Sequence, residues 1–190
     1  MSKNKEKESV SDYSQEQLIK FSIYQRVGVL VDVQNMFYSA KSLYNAKLNF
    51  EKLIDMAVRG RQLIRAICYT VNNPDIDQSG FNDMLKTHGY EVKAKEMRVR
   101  ADGSVKADWD MGIAIDAINL SEKLDILVLV TGDGDFIDLV KHCQSRGVLV
   151  EVISFPKSTN EDLIESADVY TPITEDSIIK KKKFFRRKKS

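Results

Sequence analysis

The sequence predicts an α/β protein: a mostly parallel central sheet covered by helices on both faces, in three α/β/α layers. Three observations carry this. Short runs rich in Val, Ile and Leu recur along the chain, and several are apolar at nearly every position, as strands covered on both faces require. Segments with helical apolar spacing lie between them, and several stop at a glycine. Strand and helix patterns alternate, which is the signature of a parallel sheet with crossover helices.

The elements follow in order. VGVLVDV (27–33) is the first strand, with Asp32 near its C-terminal end. QNMFYSAKSLYNA (34–46) reads as a helix. Asn49 caps a second helix within NFEKLIDMAVRG, which Gly60 stops. LIRAICYTV (63–71) is the second strand, broken by Asn72, Asn73 and Pro74; a helix then covers 75–88, before Gly89. YEVKAKEM (90–97) is the third strand, and Asp102-Gly103 marks a tight turn or hairpin. A helix covers about 107–120, and DILVLV (125–130) is the fourth strand. DFIDLVKHCQSRG is a helix stopped by Gly147; VLVEVISF (148–155) is the fifth strand; NEDLIESA (160–167) is a short helix and DVYTPI (168–173) a last extended piece.

The chain has 190 residues, enough for one domain with a normal core. We expect that domain over 21–175, a flexible polar segment over 1–20 and a polybasic tail over 176–190. QLIKFSIY (17–24) has the spacing of an accessory helix. The N-terminus lacks the apolar stretch of a signal peptide, and the apolar runs are too short to span a bilayer. Cys68 and Cys143 sit in apolar patterns, as buried free thiols do, so a cytoplasmic location is expected. His88 and His142 lie in helical patterns without a ligand cluster.

Net charge is +1, but it is unevenly spread. KKKKFFRRKKS, from Lys180, holds eight basic residues and no acid; residues 1–179 hold 21 basic against 28 acidic, a net −7. A cationic end on an acidic body is a statement about polyanionic partners.

In open parallel sheets, ligands bind beyond the C-terminal strand ends. Asp32 ends the first strand, while Asp133 and Asp135 follow the fourth within TGDGDF. If these strands are neighbours, their carboxylates converge. Asp108 reaches the same edge if the helix it introduces starts there. The alternative for Asp133 or Asp135 is helix capping. A cap needs one carboxylate, whereas several close together repel unless a cation sits among them. Oxygen donors without clustered Cys or His favour Mg²⁺ or Mn²⁺ over Zn²⁺, and such a site suits phosphoryl chemistry. The sequence lacks GxxxxGK[ST], a dinucleotide-binding glycine register and the full calcium-hand spacing, and VDVQN lacks the second acid of an aspartyl-phosphate phosphatase.

These residues resemble the NYN domains, the branch of PIN-like nucleases that includes the LabA-like proteins. DVQN (32–35) resembles the family's opening DxxN, which implies metal binding by Asp32 and support by Asn35. KADWDMGIAIDAI (106–118) is similar to a lysine–aspartate element followed by a helix with a second aspartate, which implies site roles for Asp108 and Asp116. TGDGDF (131–136) resembles the strongest signature, with Thr131 in place of the usual serine. The resemblance spans about 26–171. It implies a PIN-like (Rossmann-like) fold and metal-dependent RNA cleavage.

The expected site is therefore Asp32, Asp108, Asp133 and Asp135 as Mg²⁺ or Mn²⁺ ligands, with Asp135 alternatively activating water. Asn35 positions Asp32, contacts a phosphate or caps a helix. Lys106 offsets phosphate charge, and Trp109 either packs in the core or stacks on a base. Asp116 and Thr131 support the site from behind. The tail residues Lys180, Lys181, Lys182, Lys183, Phe184, Phe185, Arg186 and Arg187 suit RNA, with single-stranded regions as the target. They suit an anionic membrane surface less well, or serve as a solubilising end. A non-catalytic RNA-binding regulator and a phosphatase of small phosphate esters are the rival functions. Exposed edge strands make a homodimer plausible.

Overall fold

The computed structural model describes residues 23–99, 105–106 and 108–180. The elements are β1 (Arg26–Asp32), α1 (Val33–Tyr44), β2 (Ala46–Leu48), α2 (Phe50–Val58), β3 (Gln62–Asn72) and α3 (Ser79–Thr87). They continue with β4 (Glu91–Glu96), β5 (Arg98–Val99), β6 (Val105–Lys106), α4 (Asp110–Ser121), β7 (Ile126–Val130) and α5 (Ile137–Ser145). β8 (Leu149–Ser154), α6 (Glu161–Ser166), β9 (Val169–Pro172) and β10 (Ile178–Lys180) complete the chain.

The main sheet has the order β4-β3-β1-β7-β8-β9, with every pairing parallel. The period of two along each strand splits the core into two layers. Val27, Val29 and Val31 pack with Val128 and Cys68 toward Met36 and Ala40 of α1 and Leu53 of α2. Leu30, Tyr69, Leu127 and Leu129 face the other way, toward Ile113 and Ala117 of α4 and Val140 of α5. Each buried Val or Leu contributes about 1.5–3 kcal/mol, so apolar strands sandwiched by amphipathic helices account for the three layers. Cys68 and Cys143 are buried free thiols. Among the described residues, no helix is long and apolar enough to cross a membrane.

Topology places the site. From β1 the chain steps outward to β3 and β4, returns to β7 on the other side of β1, and runs on to β8 and β9. The direction reverses between β1 and β7, the kind of switch point where the loops after the strands part and leave a crevice.

Local chemistry sets several boundaries. Asn49 Oδ1 accepts from Lys52 N at 3.2 Å and Asn160 Oδ1 from Leu163 N at 3.2 Å, so both cap helices. α1 stops at Tyr44 because Asn45 turns left-handed (φ 47°), which Asn tolerates. The helix expected from 75 starts only at Ser79. Asn73 Oδ1 accepts from Asp75 N and Asp77 Oδ1 from Ser79 N, and these local turns compete with the helix.

One pairing lies outside the sequence expectation: β2 and β10 form an antiparallel pair. Residues 178–180, expected in the tail on the ground of charge, are thus part of a strand pair, and Lys180 Nζ pairs with Glu175. β5 and β6 pair antiparallel, as the hairpin expectation requires. The Asp102-Gly103 turn itself, the segments 1–20 and 181–190, and most of the expected helix at 17–24 lie outside the described residues.

Candidate active site

A cleft of about 280 Å³ opens at the switch point, lined by Asp32, Asn35, Asp108, Asp110 and Asp133, with Gln34 and Tyr38 on its α1 side. Asp32 closes β1 and caps α1: its Oδ1 accepts from Asn35 N at 3.0 Å. Capping and site duty are therefore compatible in one carboxylate, with the positive end of the α1 dipole moderating its charge. Asn35 is the clamp between the two central strands. Its Oδ1 accepts from Gly132 N at 3.0 Å, which holds the start of α1 against the loop after β7.

That loop is shaped by its own side chains. Buried Thr131 accepts from Asp133 N at 3.2 Å through Oγ1, and Asp133 Oδ1 accepts from Asp135 N at 3.0 Å, starting a 3-10 turn over Gly134–Phe136. Asp133 is thus another cap that also faces the cleft. Asp135 is exposed and lines the adjoining groove between α4 and α5, together with Asp110.

The glycine before Asp133 is there for close approach. Its carbonyl accepts from Asn160 N at 3.0 Å, and a Cβ on Gly132 would lie 2.7 Å from the Ser158 backbone oxygen. Gly132→Ala must displace one of two backbones. The expected cost is about 1–3 kcal/mol, with Asp133 moved from its position. Thermal melts and cleavage assays on this variant check both effects; an unchanged melt with full activity would refute the close-approach argument.

Asp110 is the residue the sequence argument missed. The helix expected from about 107 begins at Asp110, and Asp108 precedes it as an exposed residue at the cleft. Asp110 continues the inward stripe of α4, whose buried residues include Ile113, Ala117 and Leu120, back to the helix start. That spacing, together with the acid-x-acid pair in DWD, was the available signal. Burial, and then Asp108, Asp133 and Asp135, raise the Asp110 pKa; Lys95 opposes them. Burial above all, with Asp110 and Asp133 adding, pushes Asp32 up to about 6 despite backbone hydrogen bonds from Asn35 and Gln34. The carboxylates of three chain segments therefore feel one another across the cleft.

The other expected residues take different places. Trp109 takes the packing role. Its Nε1 donates to Thr70 O at 2.7 Å, its ring lies 5.3 Å from Tyr69, and Lys95 Nζ sits 4.1 Å from its ring centroid. Gly112 makes room for it, because a Cβ there would lie 2.5 Å from the indole. Lys95, also missed, donates to Asp108 O at 3.0 Å and so holds a cation beside the acids. Asp116 is an ion-pair partner: it accepts from Tyr69 Oη at 2.6 Å and from Lys93 Nζ at 2.7 Å, on the layer beneath Trp109. Lys106 lies on β6, and its side chain is outside the described residues, as are Lys181, Lys182, Lys183, Phe184, Phe185, Arg186 and Arg187.

The donor set fits a hard divalent cation. It is all oxygen, and a bound cation would offset both the burial that chiefly raises Asp32 and Asp110 and the smaller repulsion from the neighbouring acids. Among the described residues, no three Asp, Glu, His or Cys side chains are grouped so that they could hold a metal ion as they stand.

The profile of the NYN domain matches residues 26–174. The chain is 28% identical over 162 residues to the low amplitude and bright protein LabA of Synechococcus elongatus, covering 79% of this chain and 84% of that one. A crystal structure of a protein of unknown function from Vibrio parahaemolyticus superposes with a TM-score of 0.77 at 34% identity, covering 83% of this chain and 98% of that one.

Proposed function

The chain belongs to the NYN domain family, and from that premise we propose that it is a divalent-metal-dependent ribonuclease that cuts RNA internally. One observation carries the proposal: acids from the end of β1, the start of α4 and the loop after β7 face a single cleft at the switch point. Asp32, Asp110 and Asp133, with Asp108 at the rim, would hold the ion. Bound there, it would supply positive charge for a phosphate oxygen and lower the pKa of a water so that hydroxide is available as the nucleophile.

The protein's own groups supply the rest. Asp135, exposed beside Asp110 in the adjoining groove, would take the proton from the attacking water. Lys95, held by Trp109 and Asp108 O, offsets phosphate charge at the cleft. Asn35 and Thr131 keep the loop after β7 aligned with the end of β1. Asp110 lines both the cleft and the α4–α5 groove, so a strand can continue past the acids, which supports internal cleavage. The cationic tail would recruit RNA to a body carrying −7, with the cytoplasm as the compartment.

The test uses end-labelled single-stranded RNA with Mg²⁺ or Mn²⁺, beside Asp133→Asn. The wild type should yield internal cuts, and the variant should be slower by about 10²-fold or more. Equal cleavage by both, or none by either, would overturn the proposal. RNA binding without cleavage would point to a regulatory binder, and nucleotide hydrolysis faster than RNA cleavage to a phosphatase.

A further inference from the structure

α1 leaves two large aromatic rings in the open beside the cleft. Tyr38 is 59% exposed and lines the same cleft as Asp32 and Asp133; Phe37 is 48% exposed. The rings meet edge to face, 5.7 Å between centroids at 73°, and Lys41 Nζ lies 5.7 Å from the Phe37 centroid. The core does not require them. The buried stripe of α1 is Val33, Met36, Ser39 and Ala40, and Phe37 and Tyr38 lie off it. Gln34, one turn before Tyr38, lines the cleft as well, so this face is continuous with the acids.

An exposed ring next to a phosphate-handling site has a specific chemical complement. Every nucleobase has a flat π-face and stacks on an aromatic side chain once it is unpaired, while a neighbouring cation meets the adjoining phosphate. Bases inside a duplex already stack on one another and present only edges and backbone. Resting on the ribonuclease assignment, we propose that the Phe37–Tyr38 face of α1 is a stacking subsite for unpaired nucleobases of the strand whose phosphate occupies the acidic cleft. Lys41 contacts a flanking phosphate. The subsite selects single-stranded over double-stranded RNA and takes the base-stacking part that Trp109, packed against Lys95 and Tyr69, does not play.

The experiment measures fluorescence anisotropy of the full chain with a labelled, unstructured 12-nucleotide RNA and with the same strand in a duplex, with Ca²⁺ present. Tyr38→Ala should weaken single-strand binding roughly ten-fold, as expected for the loss of one stacking ring. Tyr38→Phe should stay within about two-fold of wild type. Duplex binding should not change, and the salt dependence of single-strand binding should keep its slope, because no charge is removed. Lys41→Ala should instead flatten that slope. Tyr38 is exposed, so a melt of each variant should match wild type and show that the fold is intact. Tyr38→Ala binding the single strand like wild type, or losing single strand and duplex equally, overturns the subsite. Wild type that neither binds nor cuts any RNA overturns the ribonuclease assignment and the subsite with it, whereas normal cleavage with indifferent Tyr38 variants overturns the subsite alone.

Discussion

Asp110→Asn is expected to lower metal-dependent RNA cleavage by about 10²- to 10³-fold, and Asp32→Asn to do the same while making the metal-free protein more stable at pH 7. The two outcomes differ because the two carboxylates are held differently. Asp110 starts α4, and its charge is opposed by Asp108, Asp133 and Asp135 but offset by Lys95. Asp32 is the more buried, and its pKa is pushed up to about 6. In the unfolded chain Asp32 loses its proton near pH 4. Between about pH 4 and pH 6 the folded state keeps a proton that the unfolded state has released. The stability linked to Asp32 is thus fully present below about pH 4 and is lost as pH rises through 6. The loss is at most about 3 kcal/mol at neutral pH. An asparagine remains neutral and still offers an Oδ1 to the Asn35 N–H that the cap serves. In EDTA at pH 7, Asp32→Asn should therefore melt higher than wild type, and the difference should vanish near pH 4. Mg²⁺ should raise the melting temperature of wild type and leave that of the variant nearly unchanged. A variant less stable than wild type in EDTA at pH 7 would refute the assignment of strain to this carboxylate.

The largest loss of stability should come from a pair far from any chemistry. Arg61 and Glu151 have side chains only 4% and 6% exposed, joined by Nη1–Oε1 at 2.6 Å and Nη2–Oε2 at 3.0 Å. Arg61 also donates through Nη2 to Ala57 O at 2.7 Å and through Nε to Val58 O at 3.0 Å, so it ties the end of α2 to β8. A bidentate pair of this kind is close to neutral as a whole, because desolvation offsets attraction. Removing one partner is different, because the other charge stays buried without compensation. Glu151→Ala should cost about 3–5 kcal/mol. For a chain of this size that corresponds to a fall in melting temperature of roughly 10 °C, with a matching shift in the urea midpoint. Exposed pairs such as Lys86–Asp83 should contribute under about 1 kcal/mol each. If Glu151→Ala melted within about 2 °C of wild type, the pair would not be buried as described.

Strand and helix alternation, the polar cap at Asn49, and the placement of Asp32 at the end of one strand and Asp133 after another were all legible, because each depends on residues near in sequence. The 3.6 and 2.0 periods report which face is buried without naming the neighbour. The miss at Asp110 is of another kind. The pair in DWD offered two acids, and the spacing that joins Asp110 to Ile113 and Ala117 separates them only once α4 is seen to begin at Asp110 rather than near 107. The Trp109 indole could pack or stack, and what decided was whether Tyr69, Lys95 and Gly112 were there to receive it. β10 was masked by the charge of the residues around it, because three residues of strand have too short a pattern to declare themselves without their partner β2.

By itself, then, the amino-acid order determined the fold class, the family resemblance and the presence of acids at or just after the ends of two parallel strands. The tertiary structure alone decided which acids face one another, that Asn35 and Gly132 clamp β1 to the β7 loop, and that Phe37 and Tyr38 stay in solvent beside the acids. The division has one physical cause. Local periodicity and capping are written within a few residues, whereas a cleft is made of side chains about 100 positions apart whose meeting depends on the order in which the strands pair.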